Sequence, residues 1–172
     1  MPMNFTVSLT GAQETPPNAS TASGTGTVVW DAANTTATYT FTVRGLDFGP
    51  ALGQPAQTAT TADDVTGMHF HSGALGMAGP IVFGQLNPAQ DTDDLVVAMN
   101  ADGSWTISGI WESTDPVSVS LTPAEFANFV TLLNSTPVGS AVPLYWDVHT
   151  TGFPNGEIRG QLVAAGDVSP IA

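Results

Sequence analysis

The sequence predicts an all-β domain, a sandwich or barrel with one short helix, and three observations carry that prediction. Short segments with apolar residues at every second position recur along the chain, turn-forming residues punctuate them, and only one stretch shows helical spacing. Regular short strands with such punctuation favour a sandwich or barrel over a parallel α/β sheet.

The first strand is predicted over residues 4–10, where Phe5, Val7 and Leu9 alternate with polar neighbours. Residues 24–30, 35–43, 81–86, 95–99, 104–111, 144–150 and 157–163 read the same way, giving about eight strands. Turn signals such as Asp31-Ala32-Ala33-Asn34, Asn100-Ala101-Asp102-Gly103 and Pro154-Asn155-Gly156 separate them. The helix is announced by Thr122 as cap, Pro123 at the first helical position and Glu125 three residues after the cap. Phe126, Phe129, Val130 and Leu133 then follow helical spacing until Asn134-Ser135-Thr136-Pro137 ends it. Its apolar stripe predicts core packing at one end of the sandwich and no chemistry. Residues 47–66, rich in Gly, Pro, Ala, Gln and Thr, are expected to form a long connection, either a lid flanking a site or a tolerated surface insertion.

A chain of 172 residues fits one domain, expected over 1–163, with the small residues of 164–172 as a tail or linker. The net charge of −13 comes from 15 acidic residues against Arg44 and Arg159 alone, so a phosphate backbone is repelled and nucleic acid is excluded as a partner. No apolar run approaches the roughly 20 residues of a membrane span, so insertion is not expected. The start lacks the basic and long apolar regions of a secretory leader, and export would mean that the leader has been removed. An acidic surface suits an extracellular or periplasmic setting, and the absence of cysteine removes disulfides and thiolate metal sites together.

All three histidines lie in two patterned segments, Met68-His69-Phe70-His71-Ser72-Gly73 and Asp147-Val148-His149-Thr150. On a strand, residues two apart point to one face, so His69 and His71 project together while Met68 and Phe70 pack on the other side. Tyr145, Asp147 and His149 likewise share a face. If the two histidine faces converge, His69, His71 and His149 can hold one copper or zinc ion and leave a position open. Glu14, Asp147, Glu157 and Arg159 are expected behind these ligands, orienting them, the alternative for Asp147, Glu157 or Glu14 being an oxygen donor to the ion itself. Arg159 is expected in an ion pair with Glu14 or Glu157, the alternative being a positive charge presented to an anion near the metal.

The glycines from Gly73 to Gly79 do not make a phosphate cradle, because no lysine or helix pattern follows and Pro80 leads into a strand. They are read instead as permitting a tight loop. Asp91-Thr92-Asp93-Asp94 and Asp63-Asp64 offer oxygen ligands suited to calcium but match no EF-hand spacing, and a solvated acidic loop is the plainer reading.

Taken together, Gly11-Ala12-Gln13-Glu14-Thr15-Pro16-Pro17, the Gly24-Thr25-Gly26-Thr27 strand, the motif from His69 to Pro80 and the segment from His149 to Leu162 resemble the CHRD family. That is the domain repeated in the extracellular antagonist chordin and found in many secreted microbial proteins. The resemblance spans nearly all of residues 4–163 and implies a Greek-key β-sandwich, immunoglobulin-like or related, exported, with no reaction attached. The long connection between Asp47 and Met68 and the scarcity of basic residues depart from the usual pattern. The chain is also similar to copper–zinc superoxide dismutase in its expected sandwich, its His-x-His strand and an arginine, with only His69, His71 and Arg159 corresponding.

Three functions follow as expectations. The first is a secreted module with a three-histidine copper or zinc site. The second is a non-catalytic extracellular module without metal that binds a protein partner or itself at the cell surface. The third is a copper-dependent redox enzyme of the superoxide dismutase type.

Overall fold

Residues 1–116 and 123–167 are described by a computed structural model, the side chains of 123–128 and of Asp167 excepted. Nine strands and one helix follow in the order β1 (Met3–Thr10), β2 (Ser23–Asp31), β3 (Thr36–Arg44), β4 (Val65–Ser72), β5 (Ile81–Leu86), β6 (Val96–Met99), β7 (Trp105–Glu112), α1 (Pro123–Ser135), β8 (Ala141–Thr150) and β9 (Ile158–Asp167). Every predicted strand is present, and the His-x-His segment supplies β4. The last strand runs four residues beyond its predicted end at Val163, because small residues extend the pairing until Asp167 meets Met3.

The strands form one antiparallel sheet in the order β5-β4-β8-β9-β1-β2-β3-β7-β6. Aromatic contacts show how it curls. Phe41 of β3 stacks on Trp146 of β8 with centroids 4.0 Å apart, Phe70 of β4 meets Tyr39 of β3 edge-on at 5.8 Å, and Phe83 of β5 meets Trp111 of β7 at 6.4 Å. The β5-β4-β8-β9 wing therefore faces the β2-β3-β7-β6 wing across a shared core, giving a sandwich-like architecture. Connections β3 to β4, β5 to β6 and β7 to β8 cross between the wings, as Greek-key chains do.

The core is built by alternation. Phe5, Val7 and Leu9 from β1, Tyr39, Phe41 and Val43 from β3, Met68 and Phe70 from β4, Trp146 and Val148 from β8, and Ile158 and Leu162 from β9 are all buried in it. Truncating Trp146 or Phe41 to alanine would cost about 3–5 kcal/mol through lost contacts and the cavity left behind. Helix α1 begins at Pro123 and closes on this core through Leu133, while Asn134 accepts a 2.7 Å bond from Trp30 Nε1. The Thr122 cap and the side chains of Glu125 and Phe126 lie outside the described residues.

The 47–66 connection is stitched down rather than loose. Asp47, fully buried, accepts bonds from the backbone N–H groups of Gly49, Gln57 and Thr58, and an isolated bridge joins it to Asp64. The far end of the connection is bonded to the β8–β9 turn, where Thr151 N–H donates to Asp64 and Gly152 N–H to Ala62.

Candidate metal centre

The wing β4-β8-β9 is buried on both faces, but by different material. Its inner face is the apolar core. Its outer face carries the intervening residues, His69 and His71 on β4, Tyr145, Asp147 and His149 on β8, and Arg159 and Gln161 on β9. Register places His69 opposite Asp147, His71 opposite Tyr145 and Asp147 opposite Arg159.

Loops roof this polar face. Gln161 Nε2 donates to the Gly73 carbonyl at 2.7 Å, and Arg159 donates to those of Ala74 and Met77 at 3.0 and 2.9 Å. Gly79 N–H donates to the Tyr145 hydroxyl at 3.2 Å. A side chain at Gly79 would land on the Ser72 carbonyl, so the 73–79 loop can pass this close only with glycine there. From the other side come Glu14 and Thr15. Gly156 has φ +118°, and a Cβ on it would sit 2.6 Å from both Glu14 oxygens.

Each histidine is tied by one nitrogen to a backbone carbonyl: His69 Nε2 to Asn87 at 2.7 Å, His71 Nδ1 to Gly79 at 2.8 Å, and His149 Nδ1 to Pro154 at 3.0 Å. A carbonyl only accepts, so each of those nitrogens carries the proton, and in the neutral imidazole the other nitrogen is a bare acceptor. The other nitrogens are His69 Nδ1, His71 Nε2 and His149 Nε2. All three are buried without a hydrogen-bond partner, as is Asp147 Oδ1. One ligand atom from each of these four residues lies within 4.8 Å of all the others. Asp147 Oδ1 is 3.2 Å from His71 Nε2, 3.3 Å from His149 Nε2 and 3.9 Å from His69 Nδ1.

Four acceptors facing one another in a buried pocket repel unless something positive lies between them. Protons can do this in part, since a protonated His71 or His149 would donate to Asp147. Asp147 is 3% exposed, and burial pushes its carboxyl up, yet the facing His149 and His71 outweigh that and hold it at about 2. Burial lowers His149 and Asp147 raises it, with a net rise. His69 is lowered, chiefly by burial, and stays neutral at pH 7. A metal cation would satisfy all four atoms at once: bonds of about 2.0–2.1 Å to a tetrahedral ion would place neighbouring ligand atoms roughly 3.3 Å apart. The two shorter separations from Asp147 fit such an edge.

The structure thus brings His69, His71 and His149 together as the alternation of strands predicts, and puts Asp147 among the converging atoms rather than behind them. Glu14 is 7% exposed beside the centre, with Oε1 unpartnered; burial first, and Asp147 second, push its carboxyl up to about 7. Glu157 bridges the hydroxyls of Ser20 and Thr150, both at 2.6 Å, and so ties the 18–20 segment to the β8–β9 turn.

The expected ion pair of Arg159 is absent among the described residues. Arg159 is 1% exposed, lies 3.4 Å over the Tyr145 ring and spends its guanidinium on the carbonyls of Ala74 and Met77, on Thr15 and on Gln161. A planar five-donor fork suits a loop full of carbonyls as well as a carboxylate. Tyr145 in turn stacks on His71, with centroids 5.0 Å apart and planes 10° from parallel. Arg159 therefore positions His71 through Tyr145 and the loop.

The carbonyls of Asn87, Gly79 and Pro154, which set the imidazole tautomers, were beyond sequence reasoning because a backbone oxygen leaves no mark on residue identity. One trace exists: Asn87 has φ +51°, a left-handed conformation that asparagine tolerates better than most residues.

The family profile of the CHRD domain matches residues 5–162. The chain belongs to the CHRD family. That span runs from within β1 to the middle of β9, so the sandwich, the roofing loops and all four converging residues are part of the domain. CHRD domains are typically extracellular β-modules, and no described helix is long and apolar enough to cross a membrane. No match was found among curated proteins or among solved structures.

Proposed function

We propose that this CHRD domain is a secreted metal-binding module that holds one copper or zinc ion through His69 Nδ1, His71 Nε2, His149 Nε2 and Asp147 Oδ1. One observation carries the reading: four buried lone-pair atoms converge with no donor among them, while every outward nitrogen is already committed to a carbonyl. Imidazole and carboxylate donors suit copper and zinc and are too nitrogen-rich for magnesium or calcium. A fourth protein donor closes a tetrahedral zinc ion, the pattern of sites that hold metal rather than activate water. This favours binding, storage or structural bracing over hydrolysis.

Titration of chelator-stripped protein with zinc, and separately with copper, tests the proposal. Binding of one equivalent with release of protons from the His–Asp147 cluster is expected. His71→Ala should weaken it by at least about a hundredfold. Saturable binding that survives His71→Ala and Asp147→Asn unchanged would place the ion elsewhere and refute it.

A further inference from the structure

We infer that Asp91, Asp93 and Asp94 form a second cation site, one for an oxygen-preferring divalent ion of the calcium class, adjoined by Glu112 and Asp115 at the end of β7. One carboxylate oxygen from each of Asp91, Asp93 and Asp94 lies within 4.8 Å of the others, and the same holds for Asp93, Glu112 and Asp115. Asp93 belongs to both groups, so the five carboxylates form one continuous cluster.

Acidic clusters on a surface usually need nothing but water, and the decisive residue is the one that is not on the surface. Asp91 is 2% exposed. Its Oδ2 accepts from the Tyr39 hydroxyl, and its Oδ1 is buried with no partner. Glu112 Oε2, on a half-buried side chain, also lacks a partner. Burial raises both groups and neighbouring carboxylates add to it, the bond from Tyr39 offsetting the rise in Asp91 only in part.

The protein has no cation of its own to supply. It contains two basic side chains: Arg44 is paired with Asp102, and Arg159 holds the 73–79 loop. All three histidines are in the other centre. Two carboxylates are already aimed by the backbone, since Asp94 accepts from Ile110 N–H and Asp115 from Glu112 N–H, both at 2.8 Å. Calcium takes roughly 6–8 oxygens at about 2.3–2.6 Å with tolerant geometry, so oxygens up to 4.8 Å apart reach across one ion, with water filling the rest.

The test uses the full chain, stripped with chelator and then titrated with calcium alone, as wild type, Asp93→Asn and His71→Ala. Asp93 is exposed and its replacement leaves the core untouched. At a hundredfold excess over Kd, calcium should raise the Tm of wild type and His71→Ala alike by about 5–10 °C. Asp93→Asn should lose most of that rise. Terbium in place of calcium should show emission sensitised by Tyr39, displaced by calcium in wild type and absent in Asp93→Asn. No shift in wild type at about 10 mM calcium, ten times the weakest extracellular affinities, would overturn the inference. So would an equal shift in Asp93→Asn.

Discussion

The two polar clusters of this domain solve the same electrostatic problem with different atoms. At one, three nitrogens and one oxygen meet under a roof of loops, each imidazole locked by a backbone carbonyl. At the other, oxygen donors alone gather at the end of β7, around one buried aspartate and an exposed one. Both leave buried acceptors unpaired in a chain with almost no basic residues. Under the two proposals, donor chemistry and rigidity, rather than net charge, would assign the partner: a fixed nitrogen-rich set suits a borderline transition metal, and a looser oxygen set suits a hard cation.

Exchanging ligands between these regimes gives the largest expected effect. His71→Ala should reduce zinc or copper affinity by at least about a hundredfold while the calcium response stays, and Asp93→Asn should do the reverse, both read by titration calorimetry. With metal at about a thousand times its Kd, the loaded centre should add about 4 kcal/mol, so chelation should lower the Tm by about 10 °C or more.

Next in size is the roof. Gly79→Ala forces a methyl onto the Ser72 carbonyl and should cost about 1–3 kcal/mol, measured by urea unfolding. It should also weaken metal binding, because the Gly79 carbonyl orients His71. Equal binding in a destabilised Gly79→Ala would detach the roof from the centre.

The pH dependence separates proton from metal. Metal needs neutral imidazoles, and Asp147 makes His149 hold its proton more tightly than usual, so affinity should begin to fall while the pH is still above the ordinary histidine value of about 6.5 and keep falling below it. In the metal-free protein Glu14 has the opposite consequence to a paired carboxylate. Its folded value of about 7 lies above the unfolded value of 4.5, so the folded state binds the extra proton between them and stability falls as pH rises through that window. The smallest expected effect is that Glu14→Gln flattens this decline, by order of 1–2 kcal/mol in denaturant melts between pH 5 and pH 8.

Much of this was legible in the sequence because period-two patterning is a strong signal. Phe5, Val7 and Leu9 mark β1, and the one-residue spacing of His69 and His71 fixes their common face. The helix was legible from Pro123 and the stripe ending at Leu133. What could not be read was anything that depends on how the sheet curls: no local pattern says that β4 and β8 are neighbours, which is what brings His149 to His71. The role of Arg159 was misjudged because rarity of charge suggests a carboxylate partner, whereas the folded loop offers the carbonyls of Ala74 and Met77 at closer reach. Asp91 looked like one more acidic loop residue, and only its burial against Tyr39 sets it apart.

Nitrogen NMR of the histidine rings, with and without one equivalent of zinc, tests the account most directly. It predicts that His69 keeps its proton on Nε2 and binds through Nδ1, whereas His71 and His149 keep theirs on Nδ1 and bind through Nε2, with all three bare nitrogens shifting together on metal addition. Ring nitrogens that ignore zinc, or a metal-bound state with His69 coordinated through Nε2, would contradict it.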